Sequence, residues 1–342
     1  MLYKCINFII FCQFLCGFYV KLSKFYMTFL STLYIILFSI FVVYGIYIKP
    51  FSSFFFFWSN IYSMIDYIIC FSVTFINRTV FVSKFLKMMS ELDGKLERVP
   101  STFSIKIILF FFAVFMEKIY YAWQYQETND KSTFMYKLSI IAWIMYKYGS
   151  CFNINLRNIL FELTRQRIIA LRESFERNMK NDVVDKVEEI NKTLAIYKMI
   201  LNMINSYGLI VKYYVIRDFC TTFFYLIILA IGASFNIHKN FRWYRTVNGV
   251  TNILMACLPC IIFQGAINEV ENIKTILTTE LLKCSPQADE RHTRQKIKDA
   301  VKYLEINPLR FTIFRLFNLN MTLPFLFISL CSTYVIVSLQ FY

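Results

Sequence analysis

Leu316 to Tyr342 reads LFNLNMTLPFLFISLCSTYVIVSLQFY and carries no charged side chain over its 27 residues. A helix needs about 20 apolar residues to cross the hydrocarbon core of a bilayer, so this stretch is long enough to span one. Six more candidates lie upstream. Phe25 to Ile48 is uncharged and stopped by Lys49 and Pro50; Phe54 to Ile76 opens on an aromatic cluster and holds one carboxylate, Asp66. Ile105 to Trp123 is interrupted by Glu117 and Lys118, and Thr133 to Leu156 carries Lys137 and Lys147. Phe219 to Ile237 and Thr246 to Asn268 are uncharged, the latter with Pro259 as an expected kink, and Pro324 is expected to divide the last span into two halves. Cys5 to Val20 is apolar but short and lacks a small-residue cleavage pattern, so it reads as a helix at the cytoplasmic interface.

Composition points the same way. Of 342 residues, 57% are hydrophobic, 19% aromatic and only 17% charged, which excludes a pair of soluble domains of the same total length. The fold expected is an all-α integral membrane protein of seven transmembrane helices in one domain. Spans 1 to 4 fall within 27–156, a cytoplasmic helical segment within 157–212, spans 5 and 6 within 213–268, a second cytoplasmic segment within 269–310, and span 7 within 311–342. The net charge of +15 then reports topology rather than nucleic acid. The segments alternating on one side hold 27 Lys and Arg, those on the other 7, which puts the N-terminus in the cytoplasm and the C-terminus outside.

The two long cytoplasmic segments are not slack. Ser150 to Tyr207 contains neither glycine nor proline, and apolar residues recur at Phe175, Met179, Val183, Val187, Ile190, Leu194, Tyr197 and Leu201, steps of three or four that make one helix face. That stripe is expected to pack against partner helices and to hold an assembly together. Val270, Ile273, Leu277 and Leu281, then Ile297, Val301 and Leu304, repeat the pattern and suit a compact cytoplasmic bundle.

Chemistry that would mark an enzyme is missing from the sequence: no nucleophile elbow, no phosphate loop, and two histidines, His238 and His292, assigned to opposite sides of the membrane. No cofactor or metal is expected. Cys257 and Cys260 have ligand-like spacing but lie in an apolar span with no second pair, and none of the ten cysteines falls in a segment placed outside. The sequons at Asn77, Asn191 and Asn320 fall in cytoplasmic or membrane segments, so none is expected to be glycosylated.

Two constellations carry site logic. Asp66, alone in its span, is costly toward lipid and must meet water, a partner or a ligand. Tyr62 lies one turn above it and Trp58 above that, while Tyr120 and Trp123 end the third span and Tyr136 and Trp143 begin the fourth, all toward the outer side. Rings with polar tips around one carboxylate suit a small-molecule pocket. An interfacial aromatic belt, with Asp66 paired to Lys147 or a hydroxyl, gives the same enrichment without a ligand.

The second constellation closes the chain: Thr333, Tyr334, five residues, then Gln340 and Phe341. It resembles the Thr-Tyr, five hydrophobic residues, Gln-Phe signature that ends the final helix of insect gustatory receptors, departing from it in polar Ser338 and in Tyr342, one residue beyond the motif. The resemblance covers about 318–341. It implies a tastant-gated, poorly selective cation channel in the plasma membrane of sensory dendrites, a homo- or heterotetramer with other gustatory receptors in which four final helices surround a pore. Val337, Gln340 and Phe341 share a helix face at i, i+3 and i+4, and would supply the closing ring and a polar group tolerated by cations. The rival readings are a G-protein-coupled receptor, opposed by the charge asymmetry, and a transporter, for which no internal repeat is visible.

Overall fold

The structure, a computed structural model, describes residues 2–16, 25–48, 54–77, 80–96, 134–181, 185–207, 209–234, 239–284, 291–314 and 316–340, with the single helical positions Phe112, Met116 and Ile119. The rest of the third expected span, with Tyr120 and Trp123, lies outside the described residues. The described residues of the chain are all-α apart from one small hairpin. Its described helices are α1 (Leu2–Leu15), α2 (Phe25–Ile48), α3 (Phe54–Asn77), α4 (Val80–Asp93), α5 (Phe134–Met179), α6 (Lys186–Asn205), α7 (Leu209–Ser234), α8 (Lys239–Lys283), α9 (Arg291–Ile306) and α10 (Thr322–Gln340).

Helices α2 and α3 begin and end within a residue of the apolar runs that predict them. Beyond them, polarity and helicity part company. The stretch expected as the fourth span and the first part of the amphipathic segment after it, as far as Met179, are one helix of 46 residues, and the stretch expected as the sixth span continues with its amphipathic successor as one of 45. The backbone bonds of a helix run within the helix itself, so a change from apolar to charged side chains gives it no reason to stop. Pro259 lies inside α8, which continues for another 24 residues to Lys283. It removes one backbone donor without ending the helix. At about 1.5 Å per residue α5 is about 69 Å long, more than twice a bilayer core.

Two expectations about the last stretch are corrected. Its first residues are not helical: β1 (Thr312–Ile313) pairs antiparallel with β2 (Phe317–Asn318), and the tight turn between them puts Phe314 in the left-handed region at φ 48°. Pro324 does not divide a helix either. It stands in the first turn of α10, where backbone N–H groups have no intrahelical acceptor, so its missing donor costs nothing there.

The core sits among α4, α5, α6, α8 and α9. Phe161 of α5 makes edge-on ring contacts with Tyr207 at 5.3 Å, with Phe311 at 5.3 Å and with Phe263 at 5.9 Å. The Tyr207 hydroxyl donates to the Leu160 carbonyl at 3.0 Å and meets the Thr164 hydroxyl. Phe311 thereby roots the hairpin, and with it the start of α10, in the core, and the Leu319 N–H bonds back to the Phe311 carbonyl at 2.9 Å.

The amphipathic stripe packs with the later apolar repeats into the compact bundle expected of them. Phe175, Met179, Ile190 and Tyr197 are buried within the chain, in one core with Ile273, Leu277, Ile297 and Leu304. The helices that the stripe meets belong to the same chain. Asp185 caps α6 by accepting from the Val187 N–H at 2.9 Å, and Lys186 of α6 reaches Glu280 of α8 at 3.1 Å.

Elsewhere apolar surface is bare: Phe134 is 77% exposed, and Phe325 and Leu326 of α10 are each 65% exposed. By length and composition Gly249–Lys283 suffices to cross a membrane, and Phe29–Gly45, Ile61–Cys70 and Thr322–Tyr334 are shorter apolar helical stretches.

Candidate functional site

Asp66 is buried on α3, and its partner is Arg217 of α7. The Arg217 Nε donates to Asp66 Oδ1 at 2.7 Å, the Tyr146 hydroxyl of α5 donates to Oδ2 at 2.5 Å, and the Tyr213 hydroxyl of α7 donates to Oδ1 at 3.4 Å. Arg217 also donates through Nη2 to the Ser150 hydroxyl on α5. A second pair adjoins the first: Arg157 of α5 is bound to Asp218 of α7, and its guanidinium donates further to the carbonyl of Tyr214 at 3.1 Å and that of Met255 on α8 at 3.4 Å. All four ionic groups are at most 6% exposed.

Two guanidinium groups and two carboxylates make a neutral set. A single buried ion is costly, whereas a pair whose remaining lone pairs and protons are hydrogen-bonded offsets much of its desolvation. The arrangement joins four helices, because the neighbours Arg217 and Asp218 point to different sides of α7. Sequence reading located Asp66 and its need for a partner but offered Lys147 or a hydroxyl. The hydroxyl is there, on Tyr146; Lys147 sits with its ammonium 5.1 Å from the Tyr146 ring centre. Arg217 and Asp218 escaped because the fifth span was started at Phe219. The helix begins ten residues earlier, at Leu209, and takes both into its interior. The available signal was charge parity, an unpaired acid in one span and a basic residue at the edge of another.

Of the residues expected to line a pocket, the structure brings Tyr62 beside the same helix: its hydroxyl is 2.6 Å from Thr221 Oγ1 and its ring 5.5 Å from that of Phe224. Trp58, Tyr136 and Trp143 belong to α3 and α5, but their side chains lie outside what the structure describes.

On α10, Thr333 donates to the Ser329 carbonyl at 3.0 Å, and Tyr334 sets its ring edge-on against Phe223 of α7 at 5.4 Å. Phe327 does the same with Phe219 at 4.9 Å. Val337, 40% exposed, and Gln340 are open to the surroundings, and Phe341 lies outside the described residues. Among the described residues no three His, Cys, Asp or Glu side chains cluster to hold a metal ion.

No family model and no curated protein matches the sequence. The fold does match solved structures. It is similar to the insect olfactory receptor OR5 from Machilis hrabei in complex with eugenol, with a TM-score of 0.71 over 100% of this chain and 99% of that one at 15% identity. A second structure of that receptor gives 0.64 and 16%, with the same coverage. The likeness is one of fold, and it runs over the full length of both chains.

Proposed function

We propose that this chain is a subunit of a ligand-gated, poorly selective cation channel of the insect chemoreceptor kind, on its gustatory side, and that it catalyses no reaction. The observation that carries the reading is a coincidence of position. The full-length likeness to an insect olfactory receptor and the Thr333-Tyr334 to Gln340-Phe341 signature were reached independently, and they meet on α10, the helix that leaves most of its apolar surface uncovered. Apolar surface left uncovered on one side of a packed helix suits lipid or a further chain. Seven spans, a cytoplasmic N-terminus and an assembly of four around a central pore belong to the reading, with Val337, Gln340 and Phe341 toward the pore.

Tyr62 and Asp66, with Trp58, Tyr120, Trp123, Tyr136 and Trp143, are the proposed surroundings of a small organic ligand, and the eugenol complex of the similar receptor supports that size of ligand. The test is expression in cells that lack chemoreceptors, alone and with candidate co-receptors, with calcium imaging and whole-cell recording against a tastant panel. Agonist-evoked cation current that persists when G-protein signalling is blocked is the expected result. A response that vanishes with the block sinks the channel reading.

A further inference from the structure

Helix α7 touches a different neighbour along each of three lines of residues four apart, which is the spacing of a helix face. Tyr213, Arg217 and Thr221 meet α3 through Asp66 and Tyr62. Tyr214, Asp218 and Thr222 meet α5 and α8: Arg157 binds the Tyr214 carbonyl and Asp218, and Thr222 donates to the Asn252 carbonyl at 3.2 Å. Phe219 and Phe223 meet α10 through Phe327 and Tyr334. The polar lines are directional and buried, and the line toward α10 is two edge-on ring contacts, which slide more readily than an ion pair.

From this geometry we infer that α7 is the transmission element between the Tyr62–Asp66 region and α10, with the Asp66–Arg217 pair as its fulcrum and Phe223 on Tyr334 as its output. The inference rests on the channel reading for its purpose but not for its mechanics. Arg217 is a positioning residue here. It fixes where α7 sits against α3 and α5, and α10 follows because Phe219 and Phe223 are two and six residues further along the same rigid helix. The hydroxyl contact between Tyr62 and Thr221, one turn from the fulcrum, is where a ligand would tilt it.

The test uses the full-length assembly. Removing one charge strands the other and risks the fold, so the primary variant is the double Asp66→Asn with Arg217→Gln, which keeps hydrogen-bonding groups on both helices. Tyr146→Phe is the milder companion, and Phe223→Ala strikes the output alone. In hydrogen exchange, each should weaken protection across Thr322–Gln340, whose own sequence is unchanged. Loosening confined to α3 and α7, with α10 as protected as before, overturns the inference. In recordings of ligand-free current, each variant should shift open probability by about 5- to 150-fold, the usual range for coupled sites. Phe223→Ala placed on the double variant should add little further. Simple multiplication of the two effects means that the faces act independently, which also overturns it. A wild-type chain that carries no cation current, yet shows the exchange coupling, sinks the channel reading and leaves the transmission role standing.

Discussion

At the scale of single residues, charge parity is the feature with the sharpest consequences. Arg157 is 1% exposed and is bound to Asp218, so Arg157→Met leaves a buried carboxylate without its partner, at a cost of about 3–5 kcal/mol. Purified protein should melt well below wild type, and adding Asp218→Leu should recover most of the loss; a single variant that melts like wild type would show the pair to be dispensable. The cost of an isolated intramembrane carboxylate made Asp66 stand out from sequence. Its partner stayed hidden because a basic residue next to a span boundary is also what a topological flank looks like, and only the helix register decides between the two. The gate lies at the same scale. Phe341→Ala in a surface-expressed assembly should raise ligand-free current, and Gln340 substitutions should alter relative cation permeability. No change in either quantity removes that face from the pore.

At the scale of elements, the sequence resolves where helices are apolar better than where they stop. Helices α2 and α3 are bounded by breakers and charges that coincide with their ends, so they were legible to within a residue. Helices α5 and α8 outrun their apolar windows because the amphipathic continuation buries its own stripe in the helical bundle, and tertiary packing there favours unbroken helix. The two prolines give a clean contrast. Pro324→Ala falls in the first turn of α10 and should change stability by less than about 0.5 kcal/mol, whereas Pro259→Ala restores an interior donor in α8 and should be felt. Thermal unfolding in detergent separates them, and equal effects would contradict the placement of Pro324. The hairpin before α10 was not legible at all, since two-residue strands leave too short a period-two pattern to register.

At the scale of the whole molecule, the charge asymmetry predicts that a tag after Tyr342 labels intact cells and one before Met1 needs permeabilisation, and the reverse pattern would sink the inverted topology. The bundle packed within one chain changes what a mutation in the stripe should do. Leu194 packs on the core, so Leu194→Asp should unfold the helical bundle of the single chain, seen as early proteolysis of 157–212. The fulcrum pair has a last consequence, in time. Asp66 and Arg217 stand 151 positions apart. At about 5–20 residues per second of synthesis, Asp66 waits about 8–30 s for its counter-ion. Until then the carboxylate can draw on the Tyr146 hydroxyl of α5 but on no basic partner, which predicts a nascent chain exposed to quality control until α7 arrives. Chains ended after Asn205 should be degraded rapidly, and Asp66→Asn should lengthen their lifetime while shortening that of chains ended after Ser234, where it strands Arg217.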